Sequence, residues 1–215
     1  MKNEISLQKI FEVIIMVDNL KRKKDKKESI LEAATKVFVK EGYKKASIAK
    51  IAKEARSSQV TLYKYFSNKV SLARAVVIKL IIDGYNESEA YLNATNKTFV
   101  EKMQDMMNFG ISMSNEISDD FVVFMYDEFS GKNGDNSVMK VYNDNKHSFW
   151  KKLLDQGRDE GAVDPNITDE GAMIYLDMFV VHAMNSEFNK LHSPVEIKNH
   201  EDDLMHLFFY GIMGR

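Results

Sequence analysis

The chain has 215 residues, 44% of them hydrophobic, with no cysteine and a formal net charge of −2. That length and apolar content suffice for one sizeable core, or for a small domain beside a larger one. The missing cysteines exclude a disulfide scaffold, a thiolate metal site and a cysteine nucleophile, and they fit a cytoplasmic location.

Charge divides the chain. From Val17 to Lys79 there are 17 Lys+Arg and 6 Asp+Glu, a charge of +11; from Leu80 to Arg215 there are 11 and 24, a charge of −13. A basic first third on an acidic remainder points to contact with a polyanion through the first third alone. Two prolines and ten glycines, against 13 methionines and 13 phenylalanines, favour an all-α chain. No apolar run reaches the roughly 18 residues of a membrane span, so no membrane partner is expected. The apolar stretch Ile10–Val17 is broken by Glu12 and lacks a small-residue cleavage site, which argues against a signal peptide.

Residues 1–16 differ in composition from the basic tract that follows. Two readings stand: an upstream extension with a second translation start at Met16, or a short amphipathic helix. Lys21–Lys27 (KRKKDKK) is expected to be a flexible basic arm. Ile30, Ala34, Val37 and Phe38 then fall on one helix face, and Gly42 supplies a stop. Ser47 caps a short second helix with Ile48, Ile51, Ala52 and Ala55 inward; Ala49, Ala52 and Ala55 are small enough for close packing. Arg56-Ser57-Ser58 forms a turn, and a third helix runs from about Gln59 to Phe66 with Leu62 and Phe66 as anchors. Ser67-Asn68 opens a fourth helix toward Asn93. Five more helices are expected near 97–115, 119–130, 136–161, 168–191 and 196–213.

Two short helices joined by a three-residue turn behind a longer supporting helix form a helix-turn-helix pattern. The residues Ile30-Leu31-Glu32-Ala33-Ala34, Phe38, Gly42-Tyr43, Ile48, Ile51-Ala52, Ala55, Ser58, Thr61-Leu62-Tyr63, Tyr65-Phe66, Lys69 and Leu72 carry it, in order and without gaps. This stretch resembles the DNA-binding signature of the tetracycline-repressor (TetR) family. The resemblance implies that Gln59, Val60 and Lys64 reach base edges, and that Ser47, Thr61, Tyr63 and Lys69 contact phosphates. Two positions depart from the family pattern. Arg56 stands where glycine is usual, so either a left-handed arginine or an altered turn is expected; Val60 also replaces a common glycine.

The expected organisation is an N-terminal extension and arm (1–26), a helix-turn-helix domain (27–72), and a helical ligand-binding and dimerisation domain (73–215). The resemblance implies a homodimer that binds a double-stranded, palindromic operator and is released by an unidentified small molecule. The last two helices would join a partner through Met173, Leu176, Val180, Met184, Leu204, Leu207, Phe208 and Gly211. A ligand pocket is expected among Met107, Phe124, Tyr126, Phe149, Trp150, Tyr175, Phe179, His182 and Asn185. No paired Glu-x-x-His motif, phosphate-binding glycine loop or G-x-S-x-G element occurs, so neither an enzyme nor a cofactor or metal site is expected. The rival readings are an activator or nucleoid-associated protein, and a helical carrier or enzyme with a vestigial DNA-binding fold.

Overall fold

The computed structural model describes the backbone of residues 7–183 and 191–213, and the side chains among them outside 7–14, 109–111, 113–114, 179–183, 205, 208–209 and 211–213. The described residues form helices without strands, in the order α1 (Leu7–Lys45), α2 (Ile48–Glu54), α3 (Gln59–Tyr65), α4 (Lys69–Ala94), α5 (Phe99–Glu116), α6 (Asp119–Phe129), α7 (Ser137–Asp159), α8 (Asp169–Ala183), α9 (Pro194–Asn199) and α10 (Glu201–Met213).

Local chemistry sets most boundaries. Ser47, Ser58 and Asn68 each accept a backbone N–H from three residues on, which caps α2, α3 and α4. Asn68 and Ser71 close a reciprocal capping box. The expected last helix divides in two. Ser193 and Glu196 form a second capping box, Pro194 occupies the first turn where its missing N–H costs nothing, and His200 ends that short helix.

One expectation about the first helix changes, and one about the second. The basic tract is not a flexible arm but part of α1, which runs without interruption from Leu7 to the break at Gly42. That glycine has φ 84 and ψ 166, a region that only glycine occupies readily. A Cβ there would lie 2.7 Å from Asp120 Oδ2. Ala49 is also exposed, so the close approach of α2 to its neighbours rests on Ala52 and Ala55.

Packing produces two cores. The first gathers Ile30, Val37 and Phe38 of α1, Ile51 of α2, Leu62 of α3, Leu72 and Val76 of α4, Phe121 and Phe124 of α6, and Val138 of α7. It therefore crosses the expected domain boundary at residue 72. A run of stacked rings joins the two sides: Phe38 to Phe121 at 5.6 Å, and Tyr43 to Phe124 at 4.4 Å between centroids. The second core holds Phe99 and Met103 of α5, Phe149, Leu153 and Leu154 of α7, Val163, and Ala172, Met173 and Leu176 of α8.

Between α4 and α6 lies a fully buried carboxylate. Glu128 pairs with the guanidinium of Arg74 and accepts a hydrogen bond from Asn133 Nδ2 at 2.7 Å. Arg74 Nη1 also meets Asp135 Oδ2 at 2.9 Å. Removing one partner of such a pair strands the other charge, so Glu128→Ala should lower the unfolding free energy by about 3 kcal/mol in urea denaturation. Lys151→Ala, which breaks exposed pairs, should cost less than about 1 kcal/mol in the same assay.

Candidate nucleic-acid interface

The recognition surface is built on α3. Leu62 (0% exposed) and Phe66 (5%) fix the inner face, so the residues on the opposite side of the helix turn outward. Gln59, Val60, Tyr63 and Lys64 are all exposed, Val60 by 69% and Tyr63 by 47%. Spacings of i, i+4 place Gln59 with Tyr63 and Val60 with Lys64 on adjoining strips. A valine and a tyrosine left in water beside two polar side chains make poor surface but good contact groups for thymine methyls and phosphates.

Three of the expected phosphate contacts have structural duties as well. Ser47 Oγ accepts Lys50 N–H at 3.1 Å, and its own O–H remains free to donate. Thr61 Oγ1 lies 2.9 Å from Ser58 Oγ within the α3 cap. Lys69 is half-buried: its ammonium reaches the Lys44 carbonyl at 3.3 Å and sits 4.7 Å from the Tyr43 ring centroid. Desolvation pulls its pKa below the usual lysine range. Lys69 thus ties the start of α4 to the end of α1.

The turn between α2 and α3 adopts the first of its two expected forms. Arg56 is left-handed, with φ 46. Its carbonyl accepts a hydrogen bond from Lys26 Nζ at 2.9 Å, and Lys26 also reaches the Ala55 carbonyl at 3.4 Å. A lysine of the basic tract therefore fastens the turn that aims α3. Lysine-rich sequence alone carries no signal for this clamp. Exchanging Arg56 for glycine should remove the left-handed strain and raise unfolding free energy by about 1 kcal/mol. The same Arg56→Gly protein should bind DNA with a shallower salt dependence, because an exposed cation is gone.

A family model for bacterial regulatory proteins of the tetR family matches residues 30–76. The helix-turn-helix of this chain is that of the TetR family. The uncharacterised helix-turn-helix regulator YhgD of Bacillus subtilis is 23% identical over 172 residues, covering 80% of this chain and 88% of YhgD. YvdT, an uncharacterised helix-turn-helix regulator of the same organism, is 43% identical over 61 residues, 28% of this chain and 31% of YvdT. In fold, the chain is similar to Thermus thermophilus FadR, a TetR-family repressor solved with lauroyl-CoA. That likeness has a TM-score of 0.57 at 18% identity and covers 88% of this chain and 96% of FadR.

Among the described residues, those expected to line one pocket divide between the two cores. Phe124 belongs to the first core, stacked on Tyr43, whereas Phe149 is buried in the second. Met107, Trp150 and Tyr175 pack half-buried against that second core. Burial pushes the Tyr126 hydroxyl up to about 12. The side chains of Phe179 and His182, and all of Asn185, lie outside what the structure describes. A cleft of about 290 Å³ opens instead between α4 and α5, lined by Glu87, Ser88, Tyr91, Asp105 and Met106.

The expected partner-facing residues of α8 need a correction. Met173 and Leu176 are buried in the chain's own second core and offer no surface to a partner. The outward apolar residues are Ile174 (62% exposed) and Met178 (59%), one turn apart. On α10, Leu207 is exposed together with Tyr210, and Leu204 is half-buried. The Val180, Phe208 and Gly211 side-chain positions and all of Met184 lie outside the described set. His200 and Asp203 sit 3.7 Å apart and exposed, as surface residues of the last segment.

Proposed function

We propose that the chain is a ligand-responsive transcription repressor that binds a palindromic operator as a cytoplasmic homodimer. The observation that carries this reading is the outward set Gln59, Val60, Tyr63 and Lys64 on a helix anchored by Leu62 and Phe66, within the basic third of the molecule. Side chains of these types suit a major groove: glutamine for adenine, valine for a thymine methyl, lysine for guanine acceptors, tyrosine for a phosphate.

The dimer would place two such helices about 34–36 Å apart, one turn of B-DNA. Exposed Ile174 and Met178 on α8, with Leu207 and Tyr210 on α10, form the apolar surface that a second copy would cover. An effector that favours another spacing weakens DNA binding, with couplings of about 1–3 kcal/mol typical of such systems. The α4–α5 cleft is the proposed entry, because α4 begins at the DNA-binding domain and passes through both cores. FadR, with its bound lauroyl-CoA, supports an amphipathic effector with a long apolar chain as the first class to try.

The test begins with an operator selected from a random duplex library. Tyr63→Ala combined with Lys64→Ala alters only exposed side chains and should leave dimer mass and melting temperature unchanged. Operator affinity, read by fluorescence anisotropy, should fall by about tenfold to a hundredfold, the loss of 1–3 kcal/mol of contact energy. Equal affinity of the double variant and the wild type would refute the assignment of α3 as the reading helix.

A further inference from the structure

The helix α1 does not start where the helix-turn-helix needs it. It extends back through the whole basic tract, and its side chains there are ordered by helical geometry. Asn19, Arg22, Lys23 and Lys26 recur at i, i+3, i+4 and i+7, one face of the helix. Together with Tyr65, from the last turn of α3, they line an open groove of about 520 Å³. Lys21 and Lys24 project from the far side of the same helix. Lys26 already holds the α2–α3 turn, so the groove begins at the recognition helix and leads away from it.

The charge in this segment is mostly uncompensated. Lys21–Lys27 contains six cations and one carboxylate, Asp25. Arg22 has an exposed ion pair with Asp18 at 2.8 Å. Among the described residues, Lys21, Lys23 and Lys24 have no carboxylate partner. The face from Asn19 to Lys26 spans about 10 Å at 1.5 Å per residue. Measured along the duplex axis, that length covers about three phosphates of a strand at about 3.4 Å each.

We propose that the Asn19–Lys26 face of α1 is a rigid phosphate-binding rail for duplex DNA, gripping the flank outside the base pairs that α3 reads. This rests on the DNA-binding reading above and adds to it a partner surface that is fixed in direction. A flexible basic arm would use its cations interchangeably and could enter a minor groove. A helical rail uses Arg22 and Lys23 and leaves Lys21 and Lys24 aside. Ile15, Met16, Val17 and Leu20 are exposed nearby, a pattern that an anionic membrane surface would also accept. Duplex DNA is favoured because Tyr65 of α3 forms one wall of the groove, so DNA seated on α3 lies against it.

Two double variants and two duplexes test this. The variants are Arg22→Gln/Lys23→Gln and Lys21→Gln/Lys24→Gln; all four side chains are exposed, and each variant loses the same charge. The duplexes are the selected operator alone and the operator with ten further base pairs at each end. On the long duplex, Arg22→Gln/Lys23→Gln should weaken binding at least tenfold and reduce the salt slope by about 3.6, from four cations per dimer at about 0.9 each. Lys21→Gln/Lys24→Gln should change the slope by less than about one. On the short duplex, both variants should bind within about twofold of wild type. Equal losses for the two variants, or equal losses on both duplexes, would overturn the rail. So would unchanged binding throughout combined with loss of wild-type binding to phosphatidylserine vesicles, which would assign the face to a membrane. A wild-type protein that selects no duplex would refute the regulator reading itself.

Discussion

Glu128 has no exposed surface, and a carboxylate in that position must be paired or neutral. Arg74 satisfies it from α4, Asn133 from the loop after α6, and Asp135 holds the other side of the same guanidinium. Three separate segments are thereby fixed relative to one another at one point. The pair contributes little net stability compared with an apolar replacement, but it specifies how α4 sits on α6. Any rotation of α4 that carries the DNA-binding helices must keep this pair or break it, and breaking it is costly. The permitted motions are therefore few and discrete.

The end of α6 nearest the DNA-binding domain is held as firmly. Asp120 Oδ2 accepts the Lys44 N–H at 2.6 Å, and Ser118 N–H donates to the Val39 carbonyl at 2.8 Å. Gly42 leaves room for this contact and bends the chain around it. Together with the stacked rings of Phe38, Phe121, Tyr43 and Phe124, these bonds make α6 a part of the first core. The α4–α5 cleft, by contrast, borders the second core through Met106. Helices α4 and α7 run through both, so a change of packing in one has a covalent route to the other.

Much of the helix-turn-helix was legible because its rules are local. Ser47, Ser58 and Asn68 cap by bonding three residues on, Leu62 and Phe66 share a face by spacing, and Arg56 could be flagged as left-handed from its place in the turn. The features that escaped depend on distance or on ambiguous periodicity. Glu128 and Arg74 are 54 positions apart, and either one alone reads as a surface charge. Lys26 is one lysine among many until the turn is folded against it. In α8, apolar residues occupy every side, so spacing cannot tell Met173 and Leu176, which face inward, from Ile174 and Met178, which face out. Pocket residues carry the same ambiguity: aromatic and methionine content marks burial, and two cores supply it equally well. The basic tract was misjudged because charge density argues for disorder, whereas strong helix formers on both sides carried α1 through it.

The contacts that bind α6 to α1 and α4 are hydrogen bonds from backbone N–H groups, ring stacking and one buried ion pair. None of these is much affected by mobile ions. The basic side chains of α1 and α3, by contrast, present their charge to water. Added salt would thus weaken contacts with DNA phosphates while leaving the packing of α6 against the helix-turn-helix intact. Contact with DNA phosphates and internal packing are set by separate physical forces in one small protein, so the first can shift without disturbing the second.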